Sequence, residues 1–298
     1  MEKKARNHTL CEKHPYIAVL LAMVFPICLA SLAGAFTNGL SDEAGYIATD
    51  IASIIALIIF TVWFAPAFKG FVKPAVPAKA ICIMLIPFGI VVLLTVLEHL
   101  FLDGKLFFNP SVLATIMALT AGISEESIFR ICTHPIAMRY VKKEFRILPV
   151  TIALSVIFSL AHIGNLFQGA DVGMTVAQLV HSLFLGFFLS AVYLRTGSAL
   201  LPILIHGLFD WLEFVLQPTL EGTGILAEAY DPVQLTYELA LGVALGIVGL
   251  YMLRKSKDTL NNSPEIRIKR MENGISIKNQ TKVSKQEGNH GLFPLKRA

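Results

Sequence analysis

Long apolar runs alternate with short polar connections along most of the chain. Eight runs approach the length of about 20 apolar residues that a helix needs to cross a bilayer. They are Tyr16–Phe36, Ala48–Phe68, Ala80–Leu102, Ser111–Ile131, Leu148–Phe167, Thr175–Leu194, Ala199–Leu216 and Val233–Leu253. The pattern predicts an all-α fold, a polytopic membrane bundle with about eight transmembrane helices. Residues 1–15 precede the first run, 16–110 hold three helices, and 111–216 hold four. Residues 217–253 form an outer loop and the last helix, and 254–298 are a polar, basic tail. No internal repeat and no low-complexity tract interrupts this order.

Composition agrees with the pattern. Hydrophobic residues make up 55% of the 298 residues and charged residues 15%. A soluble domain carries about 25% charge, so too little is present to coat a soluble globule. A disordered scaffold needs the opposite balance. The net charge of +4 does not signal nucleic acid, because the basic residues form no single folded patch.

The positions of those basic residues order the topology instead. Alternate connections, counted from the N-terminus, carry Lys3, Lys4, Arg6 and Lys13, then Lys69, Lys73 and Lys79, then Arg139, Lys142, Lys143 and Arg146, then Arg195. The tail adds eleven more, for 23 of the 25 basic residues. The intervening connections carry Lys105 and seven acids. By the positive-inside rule, both termini are expected in the cytoplasm and the protein in the cell membrane. A cleaved leader is the alternative reading of the first run, which holds Pro26 and ends in Ala33-Gly34-Ala35. Cys11, Cys28, Cys82 and Cys132 contain no CxxC pair and read as small apolar core residues.

Charge inside a span is expensive and usually marks function. The fourth run holds Glu125, Glu126 and Arg130. Glu126 and Arg130 are four apart and can pair on one helix face. Glu125 points about 100° away on an α-helix, which leaves its carboxylate for chemistry. The plainer alternative is that all three only pair with neighbouring helices. The fifth run holds Phe158 and His162, again four apart, and a lone histidine of this kind is commonly a hydrogen-bonded core residue. The seventh run holds His206, Gly207 and Asp210, with Glu213 one turn further on. A His–Asp pair that merely ties two helices together is the bland reading. Gly207 lets a backbone or a substrate approach closely. Glu98, His99 and Glu238 fall near the outer ends of their runs and are expected at the interface. Gln178 and His181 are expected to hydrogen-bond between helices, with cavity lining as the alternative, and His134 and Pro135 to mark the cytoplasmic end of the fourth span.

The joint pattern Glu-Glu-x-x-x-Arg, Phe-x-x-x-His, His-x-x-x-Asp, in this order on three membrane helices, resembles the CPBP family. These are intramembrane endopeptidases related to the CAAX prenyl proteases and the bacteriocin-processing or Abi proteins. The resemblance spans about Ser111 to Leu216. It implies a helical bundle with a polar cavity open to the cytoplasm and hydrolysis of peptide bonds in or beside the membrane. It places the water-activating role at Glu125, with His162 assisting. It matches Glu126 and Arg130 to the other charged positions of the first motif. His206 and Asp210 match the positions that stabilise the oxyanion, although many members carry Asn where Asp210 stands.

Chemically, His206 suits the oxyanion if it donates a hydrogen bond, and Asp210 could orient or protonate His206. No cofactor is favoured. Zinc is the alternative, held by Glu125, His162 and His206, although no HExxH is present. At 1.5 Å per residue, Glu125 and His206 lie about 9 and 10 Å from the cytoplasmic ends of their spans and His162 about 21 Å. That mismatch requires tilt or a kink. The expected partners are membrane lipid and a membrane-associated peptide or protein substrate, and no nucleic acid. The rival functions are a non-catalytic immunity or scaffold protein and a transporter.

Overall fold

The computed structural model describes residues 8–37, 39–64, 74, 76–140, 147–217 and 232–254. Every regular element among them is helical. A short α1 (His8–Lys13) leads into α2 (Pro15–Phe36), α3 (Asp42–Phe64) and α4 (Ala78–Asp103). The fourth rod begins as α5 (Val112–Thr120), continues as two π-helical segments (Ala121–Glu125 and Ser127–Thr133) and ends as α6 (His134–Tyr140). Then come α7 (Ile147–Ala161) with a 3₁₀ extension (His162–Gln168), α8 (Val172–Thr196), α9 (Leu200–Leu216) and α10 (Pro232–Arg254). The Lys142–Arg146 connection and the basic tail beyond Arg254 lie outside the described residues.

All eight apolar runs are therefore helical over their described residues, as the pattern requires. Among the described residues, six stretches are long and apolar enough to cross a membrane: Pro15–Phe36, Ala78–Phe101, Val112–Ala137, Ile147–Phe167, Val172–Thr196 and Leu235–Leu253. The protein is an all-α, multi-pass membrane bundle. Of the two remaining runs, α9 has 17 residues and spans about 26 Å at 1.5 Å per residue. The other, α3, carries Asp42, Glu43 and Asp50.

Local sequence sets the helix ends. Ser111 caps α5 by accepting from the Ala114 N–H at 3.0 Å, and Asp171 caps α8 by accepting from the Met174 N–H at 3.0 Å. Chain reversal after α8 uses Gly197 in the left-handed region. The core lies around α8, where Phe188, Leu189, Tyr193 and Leu194 are fully buried. Helices α7, α9 and α10 pack against α8, and α4 against α9 and α10. Large apolar residues such as Ile58, Ile86, Leu97 and Ile247 remain exposed. In a membrane they face lipid.

Two expectations need correction here. Cys11 and Cys132 are buried, but Cys28 and Cys82 are exposed. Those two lie on outward faces of α2 and α4, because an all-apolar span does not reveal which side meets protein. His134 and Pro135 do not mark the end of the fourth rod. His134 is fully buried, with its ring 5.7 Å from that of Tyr193, and the helix continues to Tyr140.

One close approach decides where the candidate site forms. A Cβ on Gly122 would lie 2.7 Å from the Ile203 carbonyl oxygen and 3.1 Å from the Gly207 nitrogen, and one on Gly207 would lie 3.1 Å from the Ala118 oxygen. These two glycines let the π-helical rod and α9 meet backbone to backbone, which confirms the use expected for Gly207. Gly122→Ala should lower stability by about 1–3 kcal/mol, the usual cost of overpacking. Thermal unfolding in detergent measures it. Wild-type stability would show that the two backbones have room to part.

Candidate active site

The π-helical segments and α9 bring five of the six candidate residues into one cluster. Glu126 is fully buried, and its Oε1 lies 3.0 Å from Arg130 Nη1. The same oxygen lies 3.0 Å from His206 Nδ1. A carboxylate only accepts, so Nδ1 carries the proton and donates. This fixes the imidazole with Nε2 turned toward Glu125 Oε2 at 4.0 Å and Asp210 Oδ2 at 3.6 Å.

The arrangement differs from the sequence expectation in one respect. Asp210 was the candidate for orienting His206, but Glu126 holds Nδ1 and Asp210 approaches the opposite nitrogen. Spacing along one helix suggested the i,i+4 partner. Only the packing of α9 on the fourth rod reveals the partner across the interface.

Arg130 is held on several sides. Its Nη2 donates to the Gly186 carbonyl of α8 at 2.7 Å, and its Cζ lies 4.7 Å from the centre of the Phe158 ring. Phe158 meets the Phe129 ring edge-on at 5.1 Å and the His206 ring at 6.0 Å. It also meets His162 edge-on at 5.3 Å. His162 thus stands one aromatic ring away from His206. Its Nδ1 lies 3.1 Å from the Phe158 carbonyl oxygen. That oxygen can only accept, so Nδ1 donates and Nε2 is left as an acceptor. His162 begins the 3₁₀ extension of α7, so the regular α-helical rise behind its depth ends just before it.

The exposure of the two glutamates separates their chemistry. Glu126 is fully buried, and its Oε1 is engaged by a guanidinium and an imidazole. The Glu125 side chain keeps 34% of its surface accessible, and its Oε2 is buried without a hydrogen-bond partner. A 4.0 Å gap to His206 exceeds direct hydrogen-bond length and suits a bridging water. Glu125, His162 and His206 do not close into a metal cluster. Among the described residues, no three His, Cys, Asp or Glu side chains are grouped to hold a metal ion. The phenyl ring of Phe158 contacts both imidazoles.

Residues 107–212 match the family model described as type II CAAX prenyl endopeptidase, Rce1-like. The similarity is confined to that segment, which contains all six candidate residues. It agrees with the CPBP resemblance that the three motifs carry. No curated protein and no solved structure matches the chain. The Rce1-like match supports a peptidase that works in the membrane.

Two polar groupings escaped the sequence reading. Asp50 of α3 accepts from Thr120 and Ser124 beside the Rce1-like Glu-Glu motif. A lone acid inside an apolar run was the available signal. The second grouping ties helices together toward the other end of the bundle. His99 Nε2 lies 3.4 Å from Glu213 Oε2, and His181 pairs with Glu238. Glu98 shares the field of Glu213 and Glu238. Of the residues expected at the interface, His99 and Glu238 therefore lock α4, α9, α8 and α10 together, with Glu98 beside them. Glu213 turns to His99 rather than extending the His206–Asp210 pair. Gln178 and His181 behave as expected, Gln178 by accepting from Asn165 at 2.7 Å.

Asp210→Asn should be among the mildest changes at the site. Asn keeps the shape and leaves the Glu126–His206 bond intact, so a loss of less than about tenfold in kcat/KM is expected, below the usual range for a general acid or base. A loss as large as that of His206→Ala would give Asp210 a direct part in the chemistry.

Proposed function

We propose that this protein is an intramembrane endopeptidase in which Glu125 activates the attacking water. The observation that carries this reading is the Glu126–His206–Glu125 arrangement. One carboxylate is spent on fixing an imidazole, and the other is left partly accessible opposite that imidazole's second nitrogen. Glu125 takes a proton from water as the oxygen attacks the scissile carbonyl. With Nδ1–H given to Glu126, Nε2 of His206 donates only when the ring is an imidazolium. In that state it stabilises the oxyanion. His162, through its acceptor Nε2, holds the same water or receives a proton for delivery to the leaving amine. The cavity faces the cytoplasm, with both termini on that side in the cell membrane, as the basic connections indicate. The substrate is a membrane-associated peptide or protein, and nothing in the site requires a prenyl group.

The test is cleavage of a membrane-anchored peptide by purified protein in detergent, run in ¹⁸O-labelled water. One labelled oxygen should enter the new carboxyl terminus. Activity should persist with a strong chelator present. Loss to the chelator and recovery with zinc would transfer the water to a metal. Absence of any cleavage across a panel of membrane peptides would leave the immunity or transporter readings.

A further inference from the structure

Asp50 stands in α3, outside the Rce1-like segment, and no role above uses it. Its Oδ2 lies 3.1 Å from Thr120 Oγ1, whose one proton it shares with the Ile116 carbonyl at 2.9 Å, and its Oδ1 accepts from Ser124 Oγ at 3.3 Å. Ser53, nearly one turn further along α3, donates to Ser124 Oγ at 2.9 Å. Ser53, Thr120 and Ser124 are all buried. Thr120 is the residue before the π-helical turn Ala121–Glu125, and Ser124 is the residue before Glu125. The two contacts therefore grip both ends of one turn.

The chemistry of the grip suits its place. π-Helical turns are rare and cluster at functional sites. A carboxylate offers two acceptor oxygens to two hydroxyl donors, and hydrogen bonds to an ionised group are the stronger kind. An acid in an apolar span is expensive unless something requires it. What these bonds hold is the backbone that aims Glu125. A misplacement of about 1 Å at a reacting group can lower a rate about 100-fold.

We propose that Asp50 is a positioning residue. Through Thr120 and Ser124 it fixes the π-helical turn that directs Glu125 toward His206. The rate consequence rests on the peptidase reading above. The clamp itself does not, so the two are measured separately.

The experiment uses the full chain in detergent, with Asp50→Ala, Ser124→Ala, the double variant and Asp50→Asn. Peptide cleavage is measured alongside backbone hydrogen exchange. Asp50→Ala should lower kcat about 10- to 100-fold with KM unchanged. Exchange should rise over residues 121–125, while α8 and the unfolding temperature stay as in wild type. The double variant should be no slower than the slower single variant, since both remove the same contact. Asp50→Asn should recover most of kcat, because the carboxamide accepts from one hydroxyl and donates to the other. Unchanged kcat in Asp50→Ala would overturn the proposal. So would additive losses, a change confined to KM, or a loss that follows the unfolding temperature. If the wild-type protein cleaves nothing, the peptidase reading fails. Exchange over 121–125 then decides alone: loosening in Asp50→Ala supports the clamp, and no change overturns it.

Discussion

Glu125→Gln should leave a folded protein that cleaves its substrate about 10²–10⁴ times more slowly, the usual worth of a general base. Glutamine keeps the shape of the side chain but cannot take a proton from water. No neighbour replaces it. Glu126 Oε1 is engaged by Arg130 and His206, and Asp210 stands on the far turn of α9, 3.6 Å from His206 Nε2. His162→Ala and His206→Ala should be similarly damaging, and combining them with Glu125→Gln should add little, because groups acting in one transition state are not additive. Single-turnover cleavage in detergent, with circular dichroism as the folding control, is the measurement. A fully active Glu125→Gln protein would remove both the water-activation and the zinc mechanisms.

Removal of Arg130 should give the largest loss of stability in the bundle. Its side chain is 1% exposed and that of Glu126 is fully buried. Arg130→Ala deletes the guanidinium between Glu126, the Gly186 carbonyl and the Phe158 ring. Breaking one partner out of a buried ion pair costs about 3–5 kcal/mol, because the remaining charge has lost its compensation. His206 still reaches Glu126, but the Gly186 carbonyl loses its side-chain donor and keeps only the helical one. Replacing both charges, as Glu126→Gln with Arg130→Met, should recover part of the loss. The glutamine oxygen can still accept from His206 Nδ1, and methionine refills the volume. Chemical unfolding in detergent compares the variants. A double variant no more stable than Arg130→Ala would show that the ion pair is not what holds the helix.

The glycines explain why these effects concentrate at one place. Gly122 and Gly207 allow the fourth rod and α9 to touch at the backbone. That contact brings His206 to the two glutamates. Larger residues would separate the helices and lengthen a 3.0 Å bond that depends on both.

The helices were legible in the sequence, because long apolar runs call for a membrane and a bilayer admits little else than helices. The sequence also singled out the candidate residues, because ionisable groups in spans are rare enough to stand out. The i,i+4 pairing of Glu126 with Arg130 needed nothing more than helical geometry. Tertiary structure decided the rest. The spacing within α9 proposed Asp210 as the partner that orients His206, whereas interhelical packing gave that place to Glu126. The π-helical turns were not legible, since residues 121–133 fit an α-helix equally well until contacts with α3 and α9 select the wider form. Asp50 stood out only as a lone acid in its run, because its partners lie 70 and 74 positions away. Periodicity reports which residues share a helix face. It carries no information about which two faces meet, and in this protein the meeting of faces makes the site.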